Sequence, residues 1–310
     1  MTAPADNAQF AELARKVNNW GRWGPDDQRG TLNLLTAEHV RAAAGLVREG
    51  RRIDLAIPLS EDGPQLGFVR GRTNPSRTMV AVHEPLGDDV EGVRFNDDAV
   101  QMGLQAATHW DALAHVSYGG RMYNGLPPGV VDEAGASRLG ADQIGAVAGR
   151  GVLLDLARAA GVERLEGGTA LTVADLERAE DAAGVKVGTG DLVLLRTGQM
   201  QLLHDGDKLG YAISTAGPSM QTVEWFHERD VAAVATDNLS FEVFPGETDV
   251  MLPVHMLHIV EMGLLQGQNF DLEALAADCA DDGRYAFFLM ATPEPFVGAC
   301  GAPVAPVAVK

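Results

Sequence analysis

The segment LQAATHWDALAHV, residues 104–116, concentrates polar side chains that could perform chemistry. His109, Asp111 and His115 lie within seven positions, and Gln105 lies four residues before His109. Imidazole nitrogen, carboxylate oxygen and amide oxygen form a ligand set that suits Zn²⁺ or Mn²⁺. The spacing therefore favours one divalent metal ion at Gln105, His109 and Asp111. The alternative is a group of buried, hydrogen-bonded polar residues with no ligand.

The backbone conformation of this segment decides whether its side chains can meet. If residues 105–111 are extended, Gln105, His109 and Asp111 point to the same face and form a pocket wall. His115 follows Asp111 by four residues, so a helical turn would place it beside the ion. There it could act as a general base or contact the metal ligands.

A second polar cluster lies in LPVHMLHIVEMGLLQGQNF. His255, His258 and Glu261 follow one another at intervals of three residues, and Gln268 comes just before a predicted helix. On one helix the two histidines, and Glu261 with them, could share a face. The alternative is a partly exposed amphipathic helix with two surface histidines.

Three smaller candidates accompany these clusters. Asp237 follows the strand VAAVAT at its carboxyl end, where ligands gather in open α/β sheets, although an ordinary turn explains it equally well. Arg196 ends the strand in GDLVLLRTG and could hold an anionic group or cap the strand. Tyr123 in MYNG offers a hydroxyl near the first cluster, but Asn-Gly is also a turn signal.

The elements that position these residues change in type along the chain. Residues 18–35 form a predicted ordered loop, and Thr36 caps a predicted helix that stops at Gly50. Residues 53–130 contain short β-rich pieces typical of antiparallel strands. From residue 151 onward, apolar strands alternate with helices, as in a buried and largely parallel sheet. We predict an α/β fold and one domain over residues 1–310.

Composition limits the possible partners. The 310 residues include 24 Lys and Arg against 43 Asp and Glu, a formal charge of −19. That charge argues against nucleic acid and anionic membranes as partners, so we expect a small-molecule substrate. Two cysteines are too few for a disulfide framework, and no targeting signal or membrane span is visible, so the expected location is the cytoplasm.

The sequence resembles the cyclase superfamily, which includes bacterial kynurenine formamidase and isatin hydrolase. The resemblance spans nearly the whole chain in order. It is carried by ATHWDALAHVSYGGRMYNG, by NNWGRWGPDDQRGTLNLL near the start, by GDLVLLRTG in the middle and by CADDGRYAFFLMATPEPFVGACGAPVAPVAV at the end. The most specific part is the TH-x-D-x-x-x-H core.

The resemblance implies a role for each residue of that core. Similar proteins use a His-x-x-x-His-x-Asp-x-x-x-His pattern, in which two histidines and the aspartate bind a divalent ion and the last histidine acts in catalysis. Gln105 stands at the first position of the pattern, where a metal histidine is expected. His109 matches the second metal histidine, Asp111 the aspartate and His115 the catalytic histidine.

The resemblance also bears on the number of ions. In two-metal members a downstream histidine and a glutamate complete a second site; His255 matches that histidine, whereas Gln268 falls at the glutamate position. A glutamine in place of the glutamate removes a carboxylate ligand, so we expect one ion, Mn²⁺ or Zn²⁺. Because Gln105 and Gln268 are both neutral, a protein without metal is the alternative.

The implied fold is a swivelling β/β/α domain, with a mixed or closed β-sheet and outer helices, in a homodimer or homotetramer. An N-terminal extension of about 50 residues could pack on the partner subunit. Trp20 and Trp23 in this extension would then provide an apolar wall of the partner's pocket. The alternative is that both tryptophans pin their own loop.

These inferences combine into one functional prediction. We expect a metal-dependent hydrolase of an amide or ester bond in a small cyclic or aryl-linked substrate, with His115 as general base. One alternative is a metal-free lyase or cyclase in which His109 or His115 transfers a proton while Gln105 and Gln268 donate hydrogen bonds to the substrate. The other is a relative that only binds a small molecule.

Overall fold

Nine strands form one mixed β-sheet in the computed structural model, which describes residues 7–88 and 91–310. In spatial order they are β1-β15-β13-β7-β9-β11-β12-β4-β14. The strands, in chain order, are β1 (Arg52–Asp54), β2 (Ser76–Pro85), β3 (Arg94–Gln101), β4 (His109–Asp111), β5 (Val131–Asp132), β6 (Gly135–Ala136), β7 (Ala148–Asp155), β8 (Ala170–Leu171), β9 (Leu192–Arg196), β10 (Gly217–Pro218), β11 (Ala233–Thr236), β12 (Leu265–Gln268), β13 (Ala286–Met290), β14 (Gly301–Pro303) and β15 (Val307–Val309).

The centre of the sheet is parallel and its edges are antiparallel. Strands β7, β9, β11 and β12 run parallel to one another, and the last three are buried along their whole length. Strand β4 lies antiparallel between β12 and β14. This arrangement confirms the predicted α/β class with a mixed sheet, and the apolar runs after residue 151 are its buried strands.

Helices cover both faces of the sheet. Alternate residues of the central strands point to opposite sides, so that Leu153 and Leu194 belong to one apolar core and Val152 and Leu195 to the other. The helices are α1 (Ala8–Lys16), α2 (Ala37–Ala44), α3 (Leu156–Ala159), α4 (Val173–Ala183), α5 (Met200–His204), α6 (Lys208–Ile213), α7 (Val223–Glu228), α8 (Pro253–His255), the π-helix Met256–Met262 and α9 (Glu273–Asp282). No helix within the described residues is long and apolar enough to cross a membrane.

The N-terminal region packs on its own chain. Phe10 and Leu13 of α1 join the core beneath the π-helix. Trp20 donates its indole N–H to the carbonyl of Val260 at 2.7 Å. Gly30 lies so close to Gly263 that a Cβ atom on Gly30 would be 1.9 Å from the carbonyl oxygen of Gly263. Packing on a partner subunit stays a prediction for this extension.

Residues 53–130 contain the predicted antiparallel pairs, the longest of which is a hairpin. Strands β2 and β3 pair antiparallel over Ser76–Gln101, with two register shifts. Nearly all their side chains are exposed, so the hairpin projects from the main sheet. The loop before it, residues 65–72, instead contributes to the cavity described below.

Candidate active site

Strand β4 places two side chains of the first cluster together. His109 and Asp111 are buried, and His109 Nε2 lies 3.4 Å from Asp111 Oδ1. The strand begins only at His109, because a turn and a bend occupy residues 104–108. The expected pairing of His109 with Asp111 on one face is therefore present, whereas the extended conformation predicted for residues 105–108 is wrong.

The hydrogen bond on the far side of His109 fixes which ring nitrogen carries the proton. Nδ1 lies 2.7 Å from the carbonyl oxygen of Ala107, and a carbonyl only accepts, so Nδ1 is the donor. A neutral imidazole with this tautomer presents a lone pair at Nε2. Neither this Nε2 nor Asp111 Oδ1 has a hydrogen-bond partner within the described chain. Two buried polar atoms without partners therefore face each other at 3.4 Å.

A tight turn brings His115 to the same carboxylate. The backbone N–H of His115 donates to the carbonyl of Ala112 at 2.9 Å. His115 Nε2 then lies 3.6 Å from Asp111 Oδ1, and 23% of the His115 side chain is exposed. Burial lowers the pKa of His115, so the ring is neutral at pH 7 and able to accept a proton.

Residues from the second cluster complete the ring of polar groups. Gln268 on β12 lies opposite His109 on β4, and its amide nitrogen donates to Asp111 Oδ2 at 2.7 Å. His255 Nε2 lies 3.3 Å from the same amide nitrogen and 4.0 Å from Asp111 Oδ2. Three imidazoles and one amide thus surround a single buried carboxylate.

Glu242 anchors His255. Its carboxylate accepts from His255 Nδ1 at 2.6 Å and from the backbone N–H groups of Val254 and His255 at 3.0 and 2.9 Å. Burial opposes a charge on His255, but Glu242 outweighs this effect and raises its pKa. Glu242 therefore favours the protonated form of this ring.

Asp111 is ionised in these surroundings. Burial opposes its negative charge, but His115, His109 and His255 together hold the pKa of the carboxyl group well below its usual range. A buried carboxylate with one oxygen, Oδ1, free of any hydrogen bond is an unsatisfied group of high energy. The site is therefore strongly attractive to a cation at that oxygen.

The spacing of the donor atoms fits part of a metal centre. Two ligands, each about 2.1 Å from an ion and separated by a tetrahedral angle, lie about 3.4 Å apart. The separation between His109 Nε2 and Asp111 Oδ1 has this value. Within residues 7–88 and 91–310, no group of three His, Cys, Asp or Glu side chains has the arrangement of a complete metal site. His109 and Asp111 are therefore the two ligands that the geometry supports.

Gln105 lies beside the carboxylate without touching it. A Cβ atom on Gly301 would be 2.6 Å from the amide nitrogen of Gln105. Gly301 faces Asp111 across the β4–β14 pair, and facing residues project from the same side of a sheet. The side chain of Gln105 therefore fills the space that the glycine leaves next to Asp111, but no hydrogen bond joins Gln105 to Asp111 or His109 in the described chain.

His115, His255 and Gln268 open into one cavity of about 510 Å³. This volume is in the ordinary range for small-molecule sites. The walls are mainly apolar and come from the loop at residues 65–72, from α6 and from the segment before α8. The apolar lining residues are Leu66, Phe68, Val69, Val116, Ala212, Ile213, Leu239, Phe244, Met251 and Leu252.

The structure places four other predicted site residues away from this cavity. The Tyr123 hydroxyl donates to Asp27 at 3.0 Å, and Trp20 is bound to Val260. Trp23 lies beneath the guanidinium of Arg22. Asp237 is fully buried. None of the four lines the cavity of the described chain.

Asp237 and Arg196 hold the ends of two strands together. The Asp237 carboxylate accepts from the hydroxyl and N–H of Thr197 and from the N–H of Gly198, at 2.7 to 3.0 Å. Arg196 is paired with Asp155 and Glu273 at 2.8 Å. These contacts satisfy the hydrogen-bonding groups of both side chains within the protein. They agree with the structural interpretations of the sequence, a turn for Asp237 and a strand cap for Arg196.

The second cluster does not share one helix face. The π-helix begins directly after His255, which changes the angular spacing of the following residues. His258 packs edge-on against Phe226 and Phe241, and Glu261 accepts hydrogen bonds from residues of the N-terminal region. Of the residues His255, His258 and Glu261, only His255 faces the site. The alternative of two surface histidines is also wrong, since both rings are buried.

His258 makes the stability of the protein sensitive to acid. Burial lowers its pKa to about 3, whereas an exposed histidine titrates at about 6.5. The unfolded chain therefore binds more protons between these pH values, and stability falls as pH falls through this range. We expect wild type to lose about 2 kcal/mol relative to His258→Gln between pH 7 and pH 5. Urea unfolding of both proteins at several pH values measures the difference.

The difference in stability between wild type and His258→Gln does not contain the contributions of the other titrating groups. Asp237 acts in the opposite direction, because burial raises its pKa to about 6 and so favours the protonated, folded state in acid. This contribution is present in both proteins and cancels. Parallel stability curves for wild type and His258→Gln would contradict the assignment.

Sequence reasoning missed two groups of functional residues. Glu242 lies thirteen positions before His255, too far for any local spacing rule to connect them. Arg72 and the apolar residues of the loop at 65–72 also line the cavity. Their signal in the sequence, QLGFVRGR, is a run of apolar residues among glycines, and it does not distinguish a cavity wall from an ordinary core segment.

Comparisons with known proteins place the chain in a family. The model of the cyclase family matches residues 53–243 of the chain. A crystal structure described as a novel cyclase is 39% identical, with 95% of this chain and 100% of that chain covered and a TM-score of 0.87. The chain therefore belongs to the cyclase family, as the resemblance implied. None of the curated proteins matches it.

More distant structures share the fold. Isatin hydrolase A from Ralstonia solanacearum is 20% identical, with 86% of this chain and 93% of that chain covered and a TM-score of 0.61. A protein from Bacillus stearothermophilus, described as a predicted metal-dependent hydrolase, is 18% identical, with 84% and 98% covered and a TM-score of 0.51. These likenesses extend over most of each chain and confirm the predicted cyclase-like fold.

Proposed function

We propose that this protein is a metal-dependent hydrolase of an amide or ester bond in a small cyclic or aryl-linked substrate. The observation that carries the proposal is the pair of buried, unpartnered atoms, His109 Nε2 and Asp111 Oδ1, which face each other at 3.4 Å. A cation between them satisfies both lone pairs at once. Membership of a family whose more distant structural relatives include isatin hydrolase supports the same reaction class.

His109 and Asp111 would hold the ion, which we propose to be a single Mn²⁺ or Zn²⁺. When bound, such an ion lowers the pKa of a water molecule and polarises the carbonyl group of the substrate. Gln105 lies beside the carboxylate, and Gln268 fixes its orientation. Gln268 does so through the hydrogen bond to Asp111 Oδ2, which leaves Oδ1 free.

His115 is the proposed general base. It is neutral, it is next to Asp111 Oδ1 and it opens into the cavity, so it can remove a proton from the attacking water. The same ring then returns the proton to the leaving nitrogen or oxygen. Glu242 holds His255 in place and favours its protonated form, which would supply a hydrogen-bond donor beside the reacting carbonyl.

The walls of the cavity suit an aryl or other apolar group. Phe68, Phe244 and Met251 contribute side chains that cannot hydrogen-bond strongly with a substrate, so an apolar group of the substrate would pack against them. We propose a small molecule as the partner, in a homodimer or homotetramer. No membrane or nucleic acid is needed for this chemistry.

Turnover with and without metal tests the proposal. Protein purified without a metal-chelating column is assayed on formyl-anilides, isatin and small lactones, before and after EDTA and with added Mn²⁺. We expect at least one substrate to be hydrolysed, with activity lost on chelation and restored by the ion. Turnover that survives exhaustive chelation contradicts the metal and favours direct proton transfer by His109 or His115. Binding without any turnover contradicts the enzyme.

A further inference from the structure

The cavity contains one arginine that has no ion-pair partner within the described residues. Arg72 lines the same space as His115, His255 and Gln268. Within residues 7–88 and 91–310, its guanidinium has neither a hydrogen-bond acceptor nor a salt-bridge partner, and it interacts with Asp111, His115 and His255 only through space. By contrast, the buried Arg196 is paired with both Asp155 and Glu273.

The charge distribution around Arg72 favours an anion. None of the described residues that line the cavity is an aspartate or glutamate, and Arg72 is its one lysine or arginine. Burial disfavours the charge and lowers the pKa of the guanidinium, which nevertheless stays protonated near neutral pH. In a chain with 43 acidic and 24 basic residues, a half-buried arginine without a carboxylate partner indicates a position reserved for a ligand.

The position of Arg72 is fixed by the surrounding backbone. Its N–H donates to the carbonyl of Val69 at 3.1 Å, and Thr73 accepts from the N–H of Gly103 at 3.0 Å. The Gln65 amide donates to the carbonyl of Ala106 at 2.9 Å. The loop that carries Arg72 is thus attached to the segment that leads into β4.

We propose that Arg72 binds a carboxylate group of the substrate, so that the enzyme acts on an aryl amide or ester that is itself an anion. This inference rests on the proposed function and names its substrate class. The planar fork of the guanidinium matches a carboxylate in a bidentate arrangement. The neighbouring Leu66, Phe68 and Val69 would contact the ring to which that carboxylate is attached.

A role for Arg72 at the reacting carbonyl is the competing explanation. The scissile bond lies next to Asp111, where His255 and Gln268 already supply donors. No N···O contact within 4.0 Å joins Arg72 to Asp111. The guanidinium therefore makes no ion pair with Asp111, and its N–H groups are available to a second anionic group of the substrate.

Calorimetric titration with 2-naphthoate and 2-naphthamide, a charged and a neutral ligand of equal size, tests the proposal. The full chain is used as purified and again after EDTA treatment, so that neither turnover nor a bound ion is required. We expect wild type to bind the carboxylate at least about 10-fold more tightly than the amide. Arg72→Gln should lose about 10- to 100-fold in affinity for 2-naphthoate, with 2-naphthamide unchanged.

Two further variants serve as controls. Arg121→Gln removes an arginine that lies over Trp20, outside the cavity, and should bind both ligands as wild type does. Arg72→Lys should recover part of the preference, because it restores the charge without the fork. Unchanged amide binding shows that the cavity of Arg72→Gln is intact.

Three outcomes would overturn the inference. The first is equal affinity of wild type for the two ligands, including no measurable binding of either. The second is a preference for 2-naphthoate that persists in Arg72→Gln. The third is an equal loss of affinity for both ligands in Arg72→Gln. Hydrolysis of neutral substrates together with any of these results would remove the anionic substrate and leave the proposed hydrolase in place.

Discussion

Asp111→Asn should lose both bound metal and turnover. The substitution keeps the shape of the side chain but removes the charge that attracts the ion to Oδ1, and it leaves His109 as the one remaining ligand of the pair. We expect metal affinity to fall by more than about 100-fold, since even residues that only support a ligand contribute 10- to 100-fold. Turnover should fall by at least about as much. Elemental analysis and metal titration, with the same assay, provide both measurements.

Asp237→Asn is the matched control. Asp237 is equally buried and follows the neighbouring β11, but its carboxylate is occupied by Thr197 and Gly198. This variant should lose stability while it retains the metal content of wild type. Wild-type turnover in Asp111→Asn would contradict the proposed mechanism, whatever the metal content of the variant.

His115→Gln should retain the metal and lose turnover. The ring is next to Asp111 Oδ1 but opens into the cavity, which is the placement of a base and not of a buried ligand. Removal of a general base typically costs two to four orders of magnitude in kcat. We therefore expect a decrease of about 10²- to 10⁴-fold with unchanged metal content, measured by steady-state kinetics on the best substrate of the panel.

His204→Gln is the control for this variant. His204 is half exposed and pairs with Asp271 at 2.8 Å, away from the cavity lining, so its replacement should leave turnover unchanged. Loss of metal in His115→Gln would assign His115 to the ligands instead. Retention of both metal and full turnover would show that another group removes the proton.

The fold was predictable wherever local pattern and burial agree. The apolar runs GVLLD, LVLLR and AVAT are buried strands of the parallel centre, because a strand covered on both faces needs apolar residues at every position. The helix after Thr36 was also predicted, but it ends at Ala44, six residues before Gly50. Its C-terminal boundary depends on contacts that no local pattern contains.

The candidate site was predictable only where its residues are neighbours in sequence. His109, Asp111 and His115 meet because one short strand and one turn connect them, and their spacing contains that information. His255 and Gln268 were singled out as members of a second polar cluster, and the family resemblance connected them to the first. Glu242 and Arg72 were missed, since long-range packing alone brings them to the site and a single charged residue in a loop has no pattern.

The π-helix shows why the second cluster was only partly understood. A spacing of three residues places His255 and His258 on one face of a regular α-helix. The wider turn after His255 directs His258 into the apolar core between Phe226 and Phe241. Local spacing therefore predicted a shared face that the tertiary structure does not have.

Anomalous diffraction from crystals grown with Mn²⁺ would locate the ion itself. We expect one strong peak between His109 Nε2 and Asp111 Oδ1, at about 2.0 to 2.2 Å from each atom, the usual range for nitrogen and carboxylate ligands. An absence of any peak at this position, in crystals of protein whose hydrolytic activity has been established, would contradict it.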